Sequence, residues 1–231
     1  MPNSEKLAKL LTNLRSNLTS MSTNEYYRSL ETLANLKRQE HEIYEDSRMS
    51  LSLMRTVYRK EGVRIDTAPR RLKKVRAAYF CDDGDCSVLI SPHLPNEPKL
   101  FSLGHELKHH LVDQDLIMIY CFDVTNKSDR VEIGAEIFAA EFIFPASQFI
   151  QCSNEIGISP GNCSAEDVCR LKEEYKIPLS YQAICKRLYI LKIVPRGHFD
   201  KIQFTKVHES IYGEPLYKRI NRHRRSKRVL H

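Results

Sequence analysis

The chain of 231 residues has no apolar run near the ~20 residues that a membrane-spanning helix needs. No membrane span is therefore expected. Its first residues carry Lys6, Lys9 and Arg15 among leucines, with neither an apolar block nor a small-residue cleavage site, so no secretory signal is expected there. There is no Cys-x-x-Cys. The seven cysteines (81, 86, 121, 152, 163, 169 and 185) are odd in number and irregular in spacing, which argues against a structural zinc ribbon and against a disulfide framework. Reduced thiols in a cytoplasm are the expectation. No acid follows Glu214, whereas Lys218, Arg219, Arg222, Arg224, Arg225, Lys227 and Arg228 do. Those seven account for the whole net charge of +7, because residues 1–214 then hold 29 bases against 29 acids. Such a tail can touch nucleic acid or an acidic partner. The favoured reading is a solvated end, since Tyr217 alone offers little for base stacking.

What is present suits a globular chain. Hydrophobic residues make up 42% and charged residues 28%, enough for one large or two small domains with a buried core. Leucines at 7, 10, 11, 14 and 18 predict a helix over residues 4–19. Asn24 is read as the cap of a longer helix through Leu30, Leu33, Leu36 and Ile43, which breaks near Asp46. A third helix, with Leu51, Met54, Val57 and Tyr58, stops at Gly62. Val75, Ala77 and Tyr79, a Cys81–Cys86 turn and Ser87–Ser91 read as a β-hairpin. Leu116–Phe122 is a further strand or an apolar loop. Ser128 and Asp129 open a helix that Pro145 ends. Ser164 and Ser180 cap two more helices, 164–176 and 180–191. That pair has the outline of a helix-turn-helix, and equally of a helical hairpin packed on the preceding domain. The expected organisation is an N-terminal helical segment (1–62), a core (63–160), a C-terminal helical segment (161–214) and the basic tail (215–231). The class is α+β, predominantly helical, with a small β-sheet.

The chemistry is concentrated in Phe101-Ser-Leu-Gly-His-Glu-Leu-Lys-His-His-Leu-Val112, an H-E-x-x-H in an amphipathic segment. Residues four apart on a helix differ by about 40° around its axis, so His105 and His109 can grip one metal ion. Glu106 is placed to act as a general base toward water. The bland alternative is a solvated helix face, but the flanking leucines argue for packing. Small Ser102 and Gly104 suit a helix that approaches another closely. His110, about 140° from His105, is excluded as a co-ligand and expected partly exposed or beside the cleft.

A catalytic zinc takes three protein ligands. The best third is Glu132, in Glu132-Ile-Gly-Ala-Glu-Ile-Phe-Ala-Ala-Glu-Phe-Ile-Phe-Pro145. Ala135, Ala139 and Ala140 make one side of that helix slim. The competing reading of Glu132 is a capping-box partner of Asp129. Glu136 can fix a histidine tautomer or be a surface charge. Asp113 and Asp115 rank below Glu132 as third ligands.

These two motifs, in this order, resemble the ImmA/IrrE family of metallo-endopeptidases, over roughly residues 75–190. The family's second motif runs Glu-x-x-Ala-Asn-x-Phe-Ala-Ala-x-Leu-Leu-Met-Pro. The resemblance implies a thermolysin-like zincin core, Zn2+ held by His105, His109 and Glu132, and Glu106 as base. It further implies a protein substrate, a helix-turn-helix transcriptional repressor. Glu136 departs from the usual Asn or Asp, Lys108 replaces a frequent small residue, and the N-terminal helices do not clearly match the helix-turn-helix module of some members. The alternatives from other classes are a DNA- or repressor-binding regulator, or a toxin–antitoxin component, using the zincin scaffold without peptidase activity.

Overall fold

The computed structural model describes residues 2–17, 20–44, 47–69, 72, 75–114 and 129–213. Leu18, Asp46, Asp115, the 116–122 segment, Ser128 and the basic tail lie outside them. The described residues form nine helices and one three-stranded sheet, the predominantly helical α+β class expected. They divide into two compact units, Met1–Gln148 and Phe149–His231.

In the first unit, α1 (Pro2–Ser16) buries Leu7 and Leu14, two turns apart on one face. Helix α2 (Thr23–Glu40) is capped by Ser22, whose hydroxyl accepts from the Glu25 amide at 3.2 Å; the cap is not Asn24. Its Tyr26, Leu30 and Leu33 form a fully buried stripe. The helix stops at Glu40, short of Ile43. Helix α3 (Leu51–Lys60) ends as expected at Gly62, whose φ of +73° is left-handed. The sheet follows, in the order β1-β3-β2, with β1 (Arg64–Thr67) parallel to β3 (Asp85–Ile90) and β2 (Ala77–Asp82) antiparallel to it.

The hairpin turn is tighter than its sequence suggests. Only Asp83 and Gly84 lie in it, at φ +44° and +83°, as a two-residue turn matching the strand twist requires. Cys81 and Cys86 therefore become direct cross-strand partners, and they are disulfide-bonded. This corrects the expectation of seven reduced thiols. Cys152, Cys163, Cys169 and Cys185 are free.

Helices α4 (Asn96–Val112) and α5 (Asp129–Ile143) pack on each other and on the sheet or α2. Leu100, Leu103, Leu107 and Leu111 bury one stripe of α4, and Ala135, Phe138, Ala139 and Phe142 one stripe of α5. The small residues do what close approach demands. A Cβ on Gly104 would meet the Ala139 Cβ at 3.2 Å, and one on Gly134 would meet Leu30 Cδ1 at 2.7 Å. Pro145 separates α5 from α6 (Ala146–Glu155), where the buried Glu141 carboxylate accepts from the Ala146 amide at 3.0 and 3.1 Å.

In the second unit, α7 (Ala165–Glu174) opens with a Ser164–Asp167 capping box, and α8 (Tyr181–Ile190) with the Ser180 cap, both at the serines expected. The buried Lys172 ammonium donates to the carbonyls of Ile177 (3.2 Å) and Leu179 (2.6 Å), which pins the turn between them. Helix α9 (Phe204–Tyr212) returns against α7. No single described helix is long and apolar enough to cross a membrane.

Candidate metal centre

Four residues apart on α4, His105 and His109 turn their Nε2 atoms toward one another, 3.1 Å apart. Glu132, in the first turn of α5, closes the third side: its carboxylate oxygens lie 3.3 Å from His105 Nε2 and 3.7 Å from His109 Nε2. All three ligand atoms fall within 4.8 Å of one another. Ligands around a tetrahedral metal at its usual Zn–N distance are separated by about 3.3 Å, so the observed spacings fit one divalent ion. The exposures fit an open coordination position. The His109 side chain is 6% exposed and Glu132 32%, so the site is dry behind and wet in front.

Behind His109 lies Asp113, 1% exposed, whose Oδ2 sits 2.6 Å from His109 Nδ1. A carboxylate accepts only, so Nδ1 carries the ring proton and Nε2 keeps the lone pair that a metal needs. Asp113 therefore points away from the ligand cluster. It fixes the histidine tautomer, one of the two readings open for Glu136, which is itself exposed on α5. The signal was present in the sequence: Asp113 follows His109 at the same i, i+4 spacing that pairs the two histidines.

The same Oδ2 accepts from Lys108 Nζ at 2.5 Å. Lys108 is completely buried. Burial pushes its ammonium below the ordinary range, and the charge and hydrogen bond of Asp113 oppose that shift. Nζ also donates to the Val131 carbonyl at 3.2 Å and stands 5.6 Å from the centre of the Tyr26 ring.

Glu106 is half-buried, next to His105 on α4. Its charge reaches Tyr58 on α3. Burial first, and then Glu106 and Tyr79, raise the Tyr58 phenol well above its usual range, and its hydroxyl donates to the Leu103 carbonyl at 2.6 Å. His110 is buried rather than part-exposed. Its Nδ1 accepts from the Tyr79 hydroxyl at 2.9 Å and from Gln114 at 3.1 Å, tying α4 to β2. Burial lowers the pKa of this imidazole, and two donors on Nδ1 agree with a neutral ring.

The IrrE N-terminal-like domain of a peptidase family matches residues 59–189, which include both motifs and more than half of the sequence. The chain belongs to this family. Its scaffold is accordingly a metallopeptidase's, and the His105–His109–Glu132 cluster is a group able to hold a metal within it. Among solved structures, a Mycobacterium tuberculosis transcriptional regulator shares the fold at a TM-score of 0.52 and 16% identity, with 85% of this chain aligned to 53% of that one. This chain thus spans about half of that protein's length. No curated protein matches the chain.

Proposed function

We propose that the protein is a zinc-dependent metallo-endopeptidase in which His105, His109 and Glu132 hold the metal and Glu106 is the general base. The observation that carries this reading is the convergence of two histidine Nε2 atoms and a carboxylate from a second helix at 3.1–3.7 Å. Two imidazoles and one carboxylate are a donor set suited to catalytic zinc. Bound there, zinc supplies Lewis acidity, polarising a peptide carbonyl and lowering the pKa of water toward ~7. The residues of the chain divide the rest of the work. Asp113 holds the His109 ring in one tautomer. Glu106 accepts the proton of the attacking water, keeps it, and delivers it to the leaving amine. Glu132 stands at the wetter side, where a substrate can enter.

The substrate class we propose is a helix-turn-helix repressor, processed in a cytoplasm to switch on genes. This rests on the family to which the chain belongs and on its two ordered motifs. The test is co-expression with a helix-turn-helix regulator encoded beside it. Wild type should cut that partner, and Glu106→Gln should keep its zinc but cut nothing. Undiminished cleavage by Glu106→Gln removes Glu106 as the base. A protein that retards DNA in a salt-sensitive way and cuts nothing is a regulator instead.

A further inference from the structure

One buried side chain touches both arms of the metal cluster. Lys108 Nζ lies 2.5 Å from Asp113 Oδ2, the oxygen that His109 Nδ1 approaches at 2.6 Å. It also donates at 3.2 Å to the carbonyl of Val131, the residue preceding Glu132. The histidine arm on α4 and the glutamate arm on α5 are therefore joined through one ammonium, and the Tyr26 ring of α2 covers it. A full charge inside a protein is expensive unless its partners are fixed. Here the partners are a carboxylate, a backbone carbonyl and an aromatic ring, each from a different element.

We propose that Lys108 is a positioning residue for the metal centre. It holds Asp113 against His109 Nδ1 and holds the first turn of α5 at the distance that lets Glu132 meet His105 and His109. Residues of this charge inside an H-E-x-x-H ordinarily read as surface. In this fold the side chain instead runs inward, and its removal takes one donor from Asp113 Oδ2 and one from the Val131 carbonyl. Asp113 Oδ1 is already buried without a hydrogen-bond partner among the described residues, so Oδ2 carries all the compensation that carboxylate receives. The proposal rests on His105, His109 and Glu132 being the metal's ligands, and its test keeps the two apart.

The test uses the full chain, with Zn2+ affinity measured by competition with a chromogenic chelator. The His109 Nδ1–H resonance is followed by imidazole proton–nitrogen NMR, and apo stability by thermal melting. Wild type should bind one zinc and His109→Ala none. Lys108→Met should bind zinc about 10–100-fold more weakly and should shift or broaden the Nδ1–H signal. A second variant, Lys108→Gln, replaces the ammonium by a shorter neutral donor and leaves Asp113 in place against His109. That variant should stay folded yet bind zinc more weakly than wild type, because the shorter amide cannot span Asp113 Oδ2 and the Val131 carbonyl together. If folded Lys108→Met or Lys108→Gln binds zinc as tightly as wild type, Lys108 merely fills space and the proposal falls while the metal reading stands. If wild type and His109→Ala fail to bind zinc alike, the metal reading falls and takes this proposal with it.

Discussion

Gly104→Ala tests whether the contact between α4 and α5 sets the geometry of the metal cluster. The added Cβ would stand 3.2 Å from Ala139 Cβ, 3.3 Å from Ala139 Cα and 3.4 Å from Ile143 Cδ1. Relaxed carbon contacts lie at about 3.5–4.0 Å, so the two helices must part locally by roughly half an ångström. Two effects compete. Alanine is the better helix former by about 1 kcal/mol, and overpacking a filled interior costs about 1–3 kcal/mol. The obstruction is the backbone of α5, not the tip of a long side chain, so it does not swing aside and overpacking wins. The expected net loss is about 1 kcal/mol, or roughly 2–4 °C in the Tm of a chain this long. Function should suffer more than stability, because metal–ligand distances tolerate only about 0.2 Å. Differential scanning calorimetry and zinc competition on the same preparation read both effects. An unchanged or raised Tm with undiminished zinc affinity would show that propensity wins and that this contact does not set the ligand spacing.

Two further outcomes follow from the first unit. Burial disfavours the Glu61 carboxylate, but hydrogen bonds from His41 and Lys37 outweigh it and hold the group at about 2. A depressed carboxyl pKa stabilises the fold above the unfolded value of 4.5, and that contribution is lost as pH falls from there through 2. Discounted for partial solvent screening, it is on the order of 2 kcal/mol. Acid titration followed by circular dichroism should show this limb in wild type and a flatter one in Glu61→Gln; parallel curves would refute the assignment. The Cys81–Cys86 bridge closes a short loop, worth about 2 kcal/mol in the chain-entropy account. A dithiol reductant should lower the Tm, and alkylation in denaturant without reductant should leave both residues unmodified by mass spectrometry. Labelling of both would show that they are not linked.

The residues legible in the sequence were those whose spacing alone fixes their direction. His105 and His109 share a helix face whatever surrounds them, and the serines at 164 and 180 cap by local chemistry. Gly104, Ala135 and Ala139 announced a close helix pair because small residues have few other uses in an apolar stripe. The remainder needed the tertiary structure. Strand β1 has four residues with no apolar alternation, and pairing with β3 is what makes it a strand. Cys81 and Cys86 meet only because the turn takes two residues rather than four. Asp113 reads as a lower-ranked third ligand and Lys108 as a replacement of a small residue, and nothing local says that each is the other's reason to be buried. His110 is likewise drawn inside by Tyr79, a partner on another element.

The family match begins at residue 59, but the support of the metal cluster does not. Arg15 donates twice to the Leu111 carbonyl at the end of α4, at 3.0 and 2.8 Å. Arg38 donates to the Phe142 carbonyl of α5 at 2.8 Å, and Tyr26 and Leu30 fill the space left by Gly134. A protein cut to the matched segment would retain every residue of both motifs and lose the wall against which α5 rests. The segment matched to the family is shorter than the set of residues that brace α4 and α5. A fragment meant to keep this packing has to include α1 and α2, where the motifs are silent.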